Sequence, residues 1–294
     1  MSKLVKSKLV FGCGYLGRRV ARRWRDRGHR VFVVTRSPDR AKLLGEEGLD
    51  PILADVSRFD TLSDLPPAET VLYSIGFDRK AGVSRHDVQV GGLGAVLDAL
   101  PHETGRIIYV SSTAVYGETA GATVDEGTPC RPDRESGRIL LAAEGLLRAH
   151  PLGRRSVVLR LAGLYGPGRI PRIQDLISGR PLSVAADAVA NLIYVDDAAE
   201  IVLAADAVAK PPATYIVSDG HPVSRREFYR YLAALLHLPA PPFVAPGPSQ
   251  GESSRGAGNK RVSNARMLAE LDVTLTCPSY REGLAAITQV GLLP

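Results

Sequence analysis

Residues 8–21 read Lys8-Leu9-Val10-Phe11-Gly12-Cys13-Gly14-Tyr15-Leu16-Gly17-Arg18-Arg19-Val20-Ala21: an apolar run, three glycines spaced Gly-x-Gly-x-x-Gly, and a helical pattern. The order strand, glycine loop, helix gives the spacing its meaning. Gly12 permits a tight turn, Gly14 lets a pyrophosphate approach the backbone, and Gly17 lets helix and strand pack closely. Unpaired amides at the helix start then face an anion. On this reading Gly12, Cys13, Gly14, Tyr15, Leu16 and Gly17 cradle a dinucleotide. The spacing alone equally describes a loop that merely turns the chain, so the neighbouring strands have to decide.

Arg30-Val31-Phe32-Val33-Val34 is continuously apolar, as a buried parallel strand is, and ends in Thr35-Arg36-Ser37-Pro38. No carboxylate stands where the ribose 2′-hydroxyl of NAD is read. Arg36, with a planar five-donor fork, suits a 2′-phosphate, which favours NADP(H) and leaves NAD(H) as second choice. The plainer alternative is a solvated arginine at a strand end. Two further apolar runs end in Asp55-Val56 and in Ser74-Ile75-Gly76, strand tips on the edge that faces ligand in an open parallel sheet.

Apolar strands are expected at about 8–11, 30–34, 51–54, 70–74, 106–110, 156–161 and 213–217, with helical patterns between them. That alternation is the signature of an α/β, Rossmann-type doubly wound parallel sheet. Ser224-Arg225-Arg226-Glu227 and Ser279-Tyr280-Arg281-Glu282 read as capping boxes that start two later helices. Between them, Pro239 to Lys260 is rich in Pro, Gly and Ser and reads as a loop placed to cover a substrate.

The chain has 294 residues and a formal net charge of +6, part of it from Arg18, Arg19, Arg22, Arg23, Arg25 and Arg27 on the first helix, whose apolar stripe is Leu16, Val20 and Trp24. Those arginines read as a solvated face. No zinc-finger, RRM-type or helix-turn-helix pattern accompanies them, which argues against a nucleic-acid partner. Cys13, Cys130 and Cys277 are isolated, fitting a reducing compartment and no disulfide framework. The six histidines form no i, i+4 pair and no cluster with cysteine, so no metal is expected. The basic start precedes an apolar run far too short for a signal or membrane segment, which points to a cytoplasmic protein with no membrane partner.

The middle of the chain is similar to a known family. Arg106-Ile107-Ile108-Tyr109-Val110-Ser111-Ser112-Thr113-Ala114-Val115-Tyr116-Gly117 resembles the fifth strand and active-site serine segment of the extended short-chain dehydrogenase/reductases, the NAD(P)-dependent epimerase/dehydratase family. Val157–Arg160 with Leu164-Tyr165-Gly166-Pro167-Gly168, then Asn191-Leu192-Ile193-Tyr194-Val195-Asp196-Asp197, and finally Asn259-Lys260-Arg261-Val262-Ser263-Asn264 match further blocks in the family's order. The resemblance implies a dinucleotide-binding domain over 1–165, with a returning helix and strand at about 196–218. It also implies a smaller substrate lobe from 166–195 and 219–294, a homodimer, and a small-molecule substrate such as a nucleotide sugar or another carbonyl or hydroxyl metabolite.

One block departs from the family. Its working pair is a tyrosine and, four residues on, a lysine that lowers the tyrosine pKa. Aligned on Leu141-Ala142-Ala143-Glu144, those positions hold Ser136 and Leu140. A serine hydroxyl is a far poorer acid than a phenol, and leucine carries no charge. This variant resembles the YeeZ-like atypical subgroup. By the family's pattern Ser112 bonds the substrate, and Tyr116 and Ser136 are the other candidate catalytic residues. Tyr165 is expected to pack in its turn, and Asp196 and Asp197 to cap the next helix. Two functions follow: an NADP-dependent oxidoreductase or epimerase-like enzyme with a non-standard active site, or a non-catalytic NADP(H)-binding sensor or scaffold.

Overall fold

Seven β-branched and aromatic runs form the central sheet: β1 (Ser7–Phe11), β2 (Arg30–Thr35), β3 (Asp50–Leu53), β4 (Thr70–Tyr73), β5 (Arg106–Ser112), β6 (Ser156–Leu161) and β7 (Ala213–Val217). All pair in parallel, in the spatial order β3-β2-β1-β4-β5-β6-β7. The computed structural model describes residues 7–78, 82–117, 119–247 and 258–289. Each expected strand is present within a residue or two of its bounds, because both faces of the sheet are covered and most of its strands are near-continuous apolar runs.

The helices are α1 (Gly17–Asp26), α2 (Pro38–Glu46), α3 (Gly92–Ala99), α4 (Glu135–Ala149), α5 (Ile173–Ile177), α6 (Val195–Val208), α7 (Arg225–Leu235), α8 (Ala265–Leu271) and α9 (Tyr280–Gln289). Alternating strand side chains feed two cores. Val10, Val33, Ile108 and Leu159 pack with Leu16, Val20 and Trp24 of α1, and with α6 and α8. Leu9, Phe11, Val71 and Ile107 pack against α3 and α4 on the other face. A third apolar cluster joins Tyr165, Ile173 and Leu192 to Phe228, Leu232 and Leu284, so residues 165–192 share a core with α7 and α9. No helix among the described residues is long and apolar enough to cross a membrane.

The chain winds outward from β1 to β3, then returns to place β4 on the other side of β1. The switch point between β1 and β4 therefore opens a crevice at their carboxyl ends. The opposite edge is closed by a buried polar cluster. Lys8, 3% exposed, lies 2.7 Å from Asp206 and 3.1 Å from Glu69, and Trp24 donates its indole N–H to Asp206 at 3.0 Å. Arg106 donates to the carbonyls of Ala205, Asp206 and Ala209, which satisfies the end of α6.

Removing the ammonium strands a carboxylate that is itself mostly buried. Lys8→Ala is expected to lower the free energy of urea unfolding by about 3 kcal/mol. Because the cluster sits at the amino edge, the affinity for any ligand in the carboxyl-edge crevice should stay within error of the parent.

Candidate active site

The three glycines of the first loop occupy three different steric situations. Gly12 has φ +86°, and a Cβ there would lie 2.6 Å from the Ser74 carbonyl and the Ile75 amide. A Cβ on Gly17 would lie 2.3 Å from the Gly12 carbonyl and 2.8 Å from the Ser74 hydroxyl, so α1 starts hard against the strand tips. Gly14 is different: its nearest protein atom would be 3.9 Å away, so the fold leaves open space where a side chain could stand. The start of α1 has no side-chain cap and no acid in its first turn. Its positive end therefore opens into the crevice, as an anion site requires.

Around this loop stand the other expected cofactor residues. Ser74 donates to the Gly12 carbonyl at 3.0 Å and links β4 to the loop. Arg36 is half-exposed at the tip of β2 and pairs with Asp78 at 2.9 Å. Ser37 caps α2 by accepting from the Arg40 amide, and Thr35 accepts from the Ser37 amide. Asp55 accepts from Ser57. Burial works against its charge, but those bonds and the charges of Arg36 and Arg58 hold its carboxyl below the usual range. Val56 and Ile75 are apolar walls beside it. Arg40, which the sequence reading passed over, donates to the Cys13 carbonyl at 2.7 Å. Its place four residues after Arg36, in the first turn of α2, was the available signal. Burial pushes the Cys13 thiol up to about 11, with Arg40 working in the opposite direction.

Tyr15 carries the loop across to the other wall of the crevice. Its hydroxyl donates to the Pro167 carbonyl at 3.0 Å, and its ring lies between the guanidinium groups of Arg19, 4.5 Å away, and Arg169, 5.1 Å away. The contact is close, since a Cβ on Gly166 would meet the Tyr15 hydroxyl at 2.6 Å.

Ser112 ends β5, and its hydroxyl oxygen accepts from the Ala114 amide at 3.2 Å, starting the turn Thr113–Val115. Gly137 brings α4 onto that turn, for a Cβ there would lie 2.3 Å from the Ala114 carbonyl. Ser136, half-buried in the first turn of α4, thus stands beside the segment that holds Ser112. Leu140 lies one turn on and packs with Val115, Val124, Ile216 and Val262. Tyr116 is 2% exposed, and its hydroxyl accepts from Arg160 at 2.7 Å. Arg160 in turn grips Glu144 with two bonds, at 3.1 and 2.7 Å, and Ser111 donates to Glu144 at 2.6 Å. The Tyr116 phenol therefore belongs to a buried network, and burial pushes its pKa up to about 12.

Of the remaining expectations, the arginine face and the Asp196–Asp197 cap find different partners, while the two capping boxes and the packing of Tyr165 stand. The arginines of α1 do not form a free solvated face: Arg18 and Arg22 pair with Glu47, and Arg23 with Asp196 and Glu200. Asp197 lies in the first turn of α6 but accepts from the Thr276 and Cys277 amides. Ser224 caps α7 by accepting from the Glu227 amide, and Ser279 and Glu282 bond at the start of α9. Tyr165 is fully buried. Of the segment read as a cover, residues 248–257 lie outside the described residues. No group of three or more His, Cys, Asp or Glu among the described residues could hold a metal.

An uncapped helix start, a glycine left open to the crevice and a parallel sheet reversing at β1 define a dinucleotide-binding α/β protein. The chain belongs to the NAD dependent epimerase/dehydratase family, whose pattern it matches over residues 9–217, and membership implies a nicotinamide cofactor. It is 32% identical over 245 residues to Protein YeeZ of Escherichia coli K12, covering 81% of this chain and 87% of YeeZ. A conserved protein of unknown function from Silicibacter pomeroyi superposes with a TM-score of 0.78 at 32% identity, over 97% of this chain and 99% of that one. A UDP-glucuronic acid 4-epimerase from Bacillus cereus, solved with UDP-glucuronic acid and NAD, shares the fold at 18% identity and a TM-score of 0.76, over 97% and 99% of the two chains.

Two residues past β7, Asp219 is 4% exposed; one carboxylate oxygen accepts from the His221 amide and the other has no hydrogen-bond partner among the described residues. Burial pushes its pKa up to about 7, which the nearby carboxylates of Glu282 and Asp197 reinforce and His221 opposes. The folded protein then holds a proton that the unfolded chain has released, so stability falls as pH rises from about 4 to about 7 and is level above that. Asp219→Asn should remove this slope. Melts between pH 4 and 8 are expected to show no gain at the acid end and a gain on the order of 4 kcal/mol above pH 7.

Proposed function

We propose that this chain is an NADP-dependent enzyme that moves hydride to or from a carbonyl or hydroxyl metabolite, in the manner of the nucleotide-sugar epimerases and dehydratases but without a tyrosine–lysine pair. The observation that carries the reading is Gly14. Packing inside the protein accounts for Gly12 and Gly17, whereas at Gly14 the protein itself leaves room for a side chain. A pyrophosphate at the start of α1 fills that room.

In this reading residues 1–165 and the returning segment 196–218 hold the dinucleotide, and 166–195 with 219–294 hold the substrate. Arg36 and Arg40 flank the first turn of α2, where a 2′-phosphate would be met by two guanidinium groups and a helix start. The nicotinamide supplies or accepts hydride when bound. Ser112 uses its lone pair on the Ala114 amide and so still has a proton with which to bond a substrate oxygen. Ser136 offers a second hydroxyl nearby, but with Leu140 rather than a cation one turn on it cannot be acidified as a phenol is, so the proton moved with hydride comes from substrate or water. UDP-glucuronic acid in the Bacillus cereus epimerase makes a nucleotide sugar the first substrate class to try.

The apolar surroundings of Leu140 equally favour a second reading, an NADP(H)-binding sensor without turnover. Oxidation or formation of NADPH with a panel of UDP- and dTDP-sugars and simple ketones separates them: tight binding with no turnover on any member selects the sensor.

Gly14→Val is expected to leave the melting temperature unchanged and to weaken NADP binding in calorimetry by about 3 kcal/mol, or two decades in Kd. Unchanged affinity would reduce the loop to a turn. Arg36→Ala should cost NADP about tenfold and NAD less than about twofold; equal losses would remove the 2′-phosphate from the reading.

A further inference from the structure

The geometry points to Asp78 as the residue that sets how strongly the protein distinguishes NADP from NAD. The inference rests on the dinucleotide reading given above and deepens it at one end of the site. Arg36 leaves the tip of β2 and Asp78 follows β4, two strands that flank β1 on either side. Their side chains meet across the crevice mouth at 2.9 Å, and both are half-exposed. Arg36 therefore does not wait as an isolated cation. It is already neutralised by a carboxylate that reaches over from the other side of the switch point.

A 2′-phosphate carries up to two negative charges and has to displace Asp78 from the guanidinium or share it. NAD, with a neutral 2′-hydroxyl, faces no such competition and can bond Asp78 or Arg36 as a polar neighbour. Among the described residues, nearby charge does not relieve the conflict. Arg40 adds a second cation, but its guanidinium already donates to the Cys13 carbonyl, and Asp55 adds a carboxylate near enough to feel the charge of Arg36. Asp78 thus lowers the affinity for the phosphorylated coenzyme while leaving the other untouched, which keeps both usable. An exposed ion pair is weak, so the effect is a graded adjustment and not a gate.

The test is isothermal titration of the full chain with NADP and with NAD at low salt, in the parent, Asp78→Asn, Arg36→Ala and the double variant. Asp78→Asn keeps the shape of the side chain and removes only its charge. It is expected to tighten NADP about three- to fivefold and to leave NAD within about twofold. The gain should vanish in the Arg36→Ala background, because the guanidinium that Asp78 occupies is then gone, and should shrink at higher ionic strength. An unchanged NADP to NAD ratio in Asp78→Asn, or a gain that persists without Arg36, would overturn the assignment while the dinucleotide reading stood. If the parent bound neither coenzyme, the underlying reading would fail and this inference with it.

Discussion

The approach of Gly17 to the Gly12 carbonyl is the constraint on which the rest of the architecture turns. With any larger residue α1 would have to lift off the tips of β1 and β4. Held there, α1 fixes two further parts of the molecule through its arginines. Arg18 and Arg22 fasten Glu47 at the end of α2, while Arg23 fastens Asp196 and Glu200 on α6. Apolar contacts follow the same geometry, since Val20 and Trp24 share a core with α6. One missing methyl group thereby governs where the helix end, the returning helix and the crevice lie relative to each other.

A second fixed point holds the serine segment in shape. Glu144 and Arg160 are both almost fully buried, and such a pair is tolerable only when its remaining valences are bonded. Ser111 and Tyr116 supply those bonds, so α4, β5 and β6 are joined at one node. The first turn of α4 is placed by that node and by the contact of Gly137 with the turn after Ser112. Neither support uses the side chains of residues 136 or 140. The shape of the cleft thus rests on bonds and close contacts made by other residues, to which Leu140 adds its packing against Val115.

This division also explains what was legible in the chain. The strands were legible because a doubly covered parallel sheet needs near-continuous apolar runs, and the glycine loop because backbone geometry demands particular residues at fixed spacing. Pairings between distant segments left no such trace. Nothing local in Arg23 announces Asp196 and Glu200, 173 and 177 residues away. A tyrosine four residues after Ser112 looked like a candidate acid, yet its hydroxyl meets an arginine from β6. Asp197 followed the rule that acids gather at helix starts, but its bonds run to Thr276 and Cys277. In each case a local propensity was right about position and silent about partner.

The charge of the molecule has to be read the same way. A net charge of +6 suggests a cation-rich surface, and the arginine-rich first helix suggests where it lies. Those arginines are already bound to acids, so their contribution to an external field is small at physiological salt. The mouth of the crevice shows the same balance on a smaller scale. Arg36 stands between Asp55 and Asp78, and it is Asp78 that holds it. Recognition of an anion there cannot come from surplus positive charge. It has to come from geometry: an uncapped helix start and a glycine that leaves the backbone open to approach.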